Sequence, residues 1–121
     1  MKHWGDLSKA EKIERWKQAV RVLEGLSPHE KRRHFNMRVW GEKTDCGTVA
    51  CAAGHCGLDT WFRRRGLSLD AGAFDGGPKF NAEEFFGREG FWRIFMNVSH
   101  RPVSKVVKEM REHIRELKVT E

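Results

Sequence analysis

The segment that decides the fold is residues 8–25, which read SKAEKIERWKQAVRVLEG. Ser8 and Glu11 have the spacing of a capping box. In this motif the serine hydroxyl accepts a hydrogen bond from the Glu11 backbone amide, and the Glu11 carboxylate accepts one from the Ser8 backbone amide. Apolar residues then recur at steps of three and four, which places them on one face of a helix; they are Ala10, Ile13, Trp16, Val20 and Leu23. The segment therefore predicts an amphipathic helix that ends near Gly25.

A second long amphipathic helix is predicted over residues 102–118. Its apolar stripe comprises Val103, Val106, Val107, Met110, Ile114 and Leu117. Ser27 followed by Pro28 has the form of a helix start and predicts a short helix to about residue 34. Asp45 and Asp59 are candidate N-caps for helical segments over residues 47–65, with Gly66 as the left-handed residue that ends them. A further helix is predicted over residues 88–97.

The remaining segments are less regular. Phe35, Met37 and Val39 alternate with polar or larger residues, which is typical of an extended segment that could pair only with residues 67–69 or with the region of Lys79. Residues 66–80 are rich in glycine and contain a proline, so they predict a long, mobile loop, followed by a short helical turn capped by Asn81. The predicted fold class is all-α or mainly α, with five or six helices and at most a short two-stranded element.

Composition limits the class of protein. The chain has 121 residues, of which 39% are hydrophobic and 33% are charged, as expected for one compact domain over residues 1–121. No run of apolar residues is long enough to cross a membrane, and the first residues lack the apolar core of a secretory signal. Three cysteines cannot all pair within one chain, which favours a reducing compartment. We therefore expect a soluble, cytoplasmic protein.

The net charge favours a polyanionic partner. Twenty-three Lys and Arg residues against 17 Asp and Glu residues give a formal charge of +6, which attracts nucleic acid or an acidic protein surface, although soluble proteins often carry such a charge for solubility. Two basic triplets are the predicted contacts, namely Lys31, Arg32 and Arg33, and Arg63, Arg64 and Arg65. A third basic face, with Lys105, Lys108, Arg111, Arg115 and Lys118, is interspersed with glutamates and is typical of a solvated helix.

Residues 45–56, DCGTVACAAGHC, contain the groups that could ligate a metal. Cys51 and His55 are one helical turn apart, and Cys46 and Cys56 could complete a zinc site, but Cys56 would lie about 140° around the helix from Cys51. Cys46 could instead be a reactive thiol at a helix end, although His55 would then be roughly 12 Å or more away. The small residues favour close packing instead, so we predict no catalytic residues, no metal and no cofactor.

Residues 46–55, together with Phe35, Asn36, Met37 and Trp40, resemble a pattern shared by small uncharacterised proteins of bacteriophages, prophages and their bacterial hosts. The similarity extends over residues 35–117 and includes the aromatic and final amphipathic helices. It implies a mobile-element context and brings no established activity with it.

Three functional hypotheses follow. The first is a non-catalytic binding module that contacts nucleic acid, or a host protein that handles nucleic acid, through the two basic triplets. The second is a protein–protein inhibitor or adaptor that uses the aromatic segment over residues 85–96, with Phe91 and Trp92 as anchors if they are exposed. The third is a small zinc- or thiol-dependent enzyme.

Overall fold

The structure is a computed structural model that describes residues 2–33, 35, 42–44, 47–49, 52–67, 77–96 and 101–119. These residues are mainly helical, as predicted. The elements are α1 (Lys9–Glu24), α2 (Pro28–Arg33), β1 (Glu42–Thr44), β2 (Gly47–Val49), α3 (Ala52–Leu58), α4 (Thr60–Arg64), α5 (Gly77–Phe86), α6 (Arg88–Gly90) and α7 (Val103–Val119). A 3-10 turn (Trp4–Asp6) precedes α1, and α6 continues into a π-helical turn (Phe91–Phe95).

Helix α1 begins as the sequence predicts. The Ser8 hydroxyl accepts a hydrogen bond from the Glu11 amide at 3.1 Å, and the Glu11 carboxylate accepts one from the Ser8 amide at 3.0 Å. Both bonds satisfy amide groups that have no partner inside the helix. The apolar face of α1 is buried through Trp16, Val20 and Leu23.

Helices α1 and α7 form an antiparallel pair. Near the start of α1, the Lys9 ammonium group donates a hydrogen bond to the Lys118 carbonyl at 2.5 Å. At the other end, the Arg111 guanidinium group donates to the Glu24 carboxylate at 2.5 Å. The apolar stripe of α7 is turned toward the core, which confirms the helix predicted over residues 102–118.

Trp16 lies at the centre of the core. Its ring centroid is 4.9 Å from Phe86, 5.4 Å from Phe95 and 4.9 Å from His113. The indole N–H donates a hydrogen bond to the Phe86 carbonyl at 3.2 Å. Gly90 packs directly against the rings of Trp16 and His113. A Cβ atom at this position would lie 2.6 Å from the His113 ring and would also overlap the Trp16 ring. The aromatic segment is therefore mostly core, with Phe85, Phe86, Phe91, Ile94 and Phe95 buried.

The helix predicted from residue 47 begins later. Gly47–Val49 instead forms β2 and pairs antiparallel with β1, in the register Glu42 with Val49 and Thr44 with Gly47. Gly, Thr and Val are poor helix formers, and the ladder with β1 satisfies their backbone groups. Helix α3 starts at Ala52. The short sheet therefore lies outside the segments that the sequence predicts to be extended. Most of the predicted extended segment and of its candidate partner, residues 36–40 and 68–70, lies outside the described residues, as do residues 45–46.

Helix α5 begins at Gly77, four residues before the start predicted at Asn81. Pro78 occupies the first turn, where a missing amide hydrogen costs nothing because that group has no partner inside the helix. The predicted loop over residues 66–80 is thus shortened at its end, and its residues 68–76 lie outside the described part of the chain.

The sequence predicts one helix over residues 88–97. In the described part of this segment, the α-helical turn α6 is followed by the π-helical turn. After α6, the Met96 amide donates to the Phe91 carbonyl at 3.0 Å, which is the five-residue spacing of a π-helix.

His113 should make stability depend on pH. Its ring is buried against Trp16, neither ring nitrogen has a hydrogen-bond partner among the described residues, and burial, reinforced by the positive charge of Arg93, lowers its pKa. Because histidine in the unfolded chain has a pKa of about 6.5, the unfolded state takes up more protons as the pH falls below that value. We therefore expect the free energy of unfolding to decrease between about pH 7 and pH 5.

Urea titrations at several pH values test this prediction. His113→Leu should show a weaker loss of stability with acidification than the unsubstituted protein. A substitution at the neighbouring buried Ile114, Ile114→Val, removes no titratable group, serves as the matched control and should retain the original pH dependence. An unchanged slope in His113→Leu would contradict the prediction.

Candidate nucleic-acid interface

The arginine triplet (Arg63, Arg64 and Arg65) is held at the end of α4 by signals in the local sequence. Asp59 caps the start of α4 by accepting a hydrogen bond from the Trp61 amide at 3.1 Å. This cap was predicted from the sequence. It fixes where α4 begins.

The end of α4 is a Schellman motif. Gly66 has a φ of 96°, which an L side chain rarely adopts, so the glycine predicted at this position is required. The Gly66 amide donates to the Arg63 carbonyl at 3.2 Å, and the Leu67 amide donates to the Phe62 carbonyl at 3.1 Å. Phe62 and Leu67 are both buried, so the turn that carries the triplet is anchored to the core.

All three arginines of the triplet are exposed. The Arg65 guanidinium group lies 3.7 Å from the centre of the Trp61 ring and donates a hydrogen bond to the Trp61 carbonyl at 3.1 Å. Arg63 and Arg64 form no ion pair with any carboxylate in the described part of the chain. Their charges are therefore available to a ligand.

The triplet borders a cleft of about 560 Å³ between the start of α1 and the end of α4. This arginine cleft is lined by Lys2, Leu7, Glu11, Glu14, Arg15, Trp61, Arg63, Arg64, Arg65 and Gly66. Five cations and two carboxylates line it, so its potential is positive. Its volume falls in the range of sites that accept a small-molecule-sized group such as a nucleotide.

Besides Arg65, two more of the cleft cations are engaged within the protein. Arg15 is buried, donates to the Phe85 carbonyl at 2.7 Å and to the Lys2 carbonyl at 2.8 Å, and lies over the Phe85 ring. Burial lowers the pKa of Arg15 to about 10, so it stays charged at pH 7. Lys2 pairs with Glu11 at 3.2 Å. Arg63 and Arg64 are therefore the cations that a phosphate could bind without breaking an existing pair.

Of the second triplet, the side chain that the structure describes is that of Lys31, and it does not reach this cleft. Lys31 is exposed on α2 and is not among the residues that line the cleft. The side chains of Arg32 and Arg33 lie outside the described residues. Contact of this triplet with a ligand stays a prediction.

Trp92 has 43% of its surface exposed, and its indole N–H donates to the Glu83 carboxylate at 3.2 Å. Phe91, Ile94 and Phe95 on the same turn are buried. Of the two anchors predicted for a protein partner, Trp92 is exposed and Phe91 belongs to the core. The adaptor hypothesis stays a prediction that depends on Trp92.

The described part of the cysteine-rich segment takes part in packing. Cys56 is a buried thiol in the hydrophobic core, and the buried His55 ring stacks on Phe35 with centroids 5.9 Å apart. Cys46 and Cys51 lie outside the described residues. Among the residues that are described, no group of three or more His, Cys, Asp or Glu side chains could hold a metal ion.

A second basic depression lies between α1 and α7, and its α7 side belongs to the third basic face, whose sequence pattern is typical of a solvated helix. This α1–α7 groove has a volume of about 410 Å³ and is lined by Lys17, Val20, Arg21, Arg111, Ile114, Arg115 and Lys118. A signal was present in the sequence: residues 108, 111, 115 and 118 are three, four and three apart and so form one stripe of α7, from which Lys105 is rotated away.

No family model matches this chain, and no curated protein or solved structure matches it. The resemblance to phage and prophage proteins accordingly stays a prediction from the sequence. None of the helices in the described segments is both long and apolar enough to cross a membrane.

Proposed function

We propose that this protein is a non-catalytic module that binds single-stranded nucleic acid in the arginine cleft. The observation that carries the proposal is the position of Arg63 and Arg64, which have no carboxylate partner in the described structure, beside the stacked pair of Trp61 and Arg65. Arginine binds phosphate through charge-assisted hydrogen bonds. Bases stack on aromatic rings and on guanidinium planes. One cleft therefore offers both kinds of contact that a strand needs.

A single strand fits these contacts better than a duplex or an acidic protein surface does. In a duplex the base faces are stacked on one another and cannot reach a planar side chain in a cleft. An acidic protein surface would use the cations but not the Trp61–Arg65 stack. The mobile-element context implied by the sequence resemblance is part of the proposal, although no step of this argument depends on it.

Substitution of both unpaired arginines tests the proposal. For Arg63→Ala/Arg64→Ala we expect binding of a labelled oligothymidylate of about 12 nucleotides to weaken about 50-fold at about 50 mM salt, because each phosphate contact with a single strand adds about 0.7 to the salt slope. The slope itself should fall by about 1.4. Fluorescence anisotropy over a series of salt concentrations measures both quantities.

The matched control is Arg88→Ala/Lys105→Ala, which removes the same charge from exposed positions outside the cleft. This variant should bind nearly as well as the unsubstituted protein. Absence of binding at low salt, or equal losses in the two double variants, would refute the proposal. Equally tight binding of a duplex competitor would refute its single-stranded form.

A further inference from the structure

The α1–α7 groove combines cations from two helices over an apolar floor. Arg115 and Lys118 on α7 are exposed, and together with Lys17 on α1 they form no ion pair with any described carboxylate. The floor is formed by the buried side chains of Val20 and Ile114. No carboxylate is among the lining residues. The groove is therefore a concentrated positive surface rather than a balanced, solvated face.

The other two cations of the groove are neutralised from outside it. Arg21 donates to the Glu14 carboxylate at 2.8 Å and to the Gln18 side chain at 2.9 Å. Arg111 donates to the Glu24 carboxylate at 2.5 Å. These pairs hold the two arginines in place and screen the two glutamates, which would otherwise repel an anion that crosses α1.

The Glu14–Arg21 pair also joins the groove to the arginine cleft. Glu14 lines the arginine cleft, Arg21 lines the α1–α7 groove, and the two side chains are hydrogen-bonded to each other. On α1, residues 14, 17, 18 and 21 lie on one face because their spacing is three and four. The hydrogen-bonded Glu14 and Arg21 therefore connect the rims of the two depressions across α1.

We infer that the α1–α7 groove is a second phosphate-binding segment, and that one nucleic-acid strand runs from the arginine triplet across α1 into this groove. The inference rests on the proposed function. Charge complementarity supports it, because a phosphodiester backbone carries a negative charge at every step and so matches cations repeated along a path. The groove holds no planar stack like that of Trp61 and Arg65, so it binds the backbone and adds affinity without base selection.

Arg115→Ala/Lys118→Ala tests this inference on the full chain. With the oligothymidylate of about 12 nucleotides, we expect the salt slope to fall by about 1.4 and the affinity at about 50 mM salt to fall about 50-fold, because two phosphate contacts are lost. The stoichiometry should be one strand per chain. Both residues are exposed, so the thermal unfolding curve should be unchanged.

Arg88→Ala/Lys105→Ala is again the matched control, since it removes two exposed cations that do not line the groove and lie off the stripe of Arg111, Arg115 and Lys118. If Arg115→Ala/Lys118→Ala behaves like this control while Arg63→Ala/Arg64→Ala loses binding, the groove inference is overturned and the proposed function stands. If the groove variant alone loses binding, or if two strands bind per chain, the single path is overturned. Absence of binding by the unsubstituted protein overturns both proposals.

Discussion

Replacement of Trp16 by alanine is expected to lower the free energy of unfolding by about 4 kcal/mol, the middle of the range for removing a large aromatic side chain from a core. The Trp16 side chain is fully buried and contacts rings from three elements, namely Phe86, Phe95 and His113. The substitution leaves a cavity that these rings cannot fill. It also removes the donor to the Phe86 carbonyl, which then loses its 3.2 Å hydrogen bond to the indole.

Urea unfolding followed by far-ultraviolet circular dichroism measures this loss. Trp92→Ala is the matched control, because it makes the same chemical change at an indole that is 43% exposed, and it should cost only about 0.5 kcal/mol. If Trp16→Ala does not fold, Trp16→Phe still tests the prediction, since it keeps much of the packing and loses about 1–2 kcal/mol with the hydrogen bond. Similar losses at positions 16 and 92 would contradict the described core.

Neutralisation of Glu109 by the substitution Glu109→Gln is expected to lower the free energy of unfolding by about 3 kcal/mol, although it only replaces a carboxylate by an amide. The Glu109 carboxylate accepts hydrogen bonds from the Arg101 guanidinium group, which is 5% exposed and also donates to the Ile94 carbonyl at 2.6 Å. In Glu109→Gln, the buried positive charge of Arg101 loses the negative charge of Glu109, and the amide compensates only part of the lost hydrogen bonding. The segment before α7 should then separate from the π-helical turn.

Glu112→Gln provides the comparison for this substitution. Glu112 lies on the same helix, is partly exposed and forms no ion pair among the described residues, so its neutralisation should change stability by less than about 0.5 kcal/mol. Replacing both partners by methionine should restore part of the stability lost in Glu109→Gln, because an apolar pair carries no uncompensated charge. Equal stability of the two glutamine variants would show that the buried pair contributes nothing.

Local chemistry explains why several elements could be predicted from the sequence. The capping box at Ser8 and Glu11, the cap at Asp59 and the left-handed Gly66 each act through hydrogen bonds between residues a few positions apart. Such bonds form in the same way whatever surrounds the helix. For the same reason, the arginine triplet could be recognised as the last turn of a helix before its surroundings were known.

Two segments were predicted incorrectly because competing local signals favour different structures there. Gly47–Val49 follows a candidate cap at Asp45, yet it pairs with β1, which ends only three residues earlier, and its Gly, Thr and Val residues are poor helix formers. Helix α5 likewise begins before its strongest local signal at Asn81. Neither outcome follows from residue spacing alone.

The sequence by itself determined the mainly helical class, the faces of α1 and α7, and the position of the arginine triplet at a helix end, because caps and helical periodicity act within a few residues. Tertiary structure decided which cations share a surface. It placed Trp61 and Arg65 beside α1, and it set Lys17 and Arg21 opposite Arg115 and Lys118. Those groups lie far apart in the chain, and they come together because burial of two apolar stripes forces α1 and α7 to pack side by side.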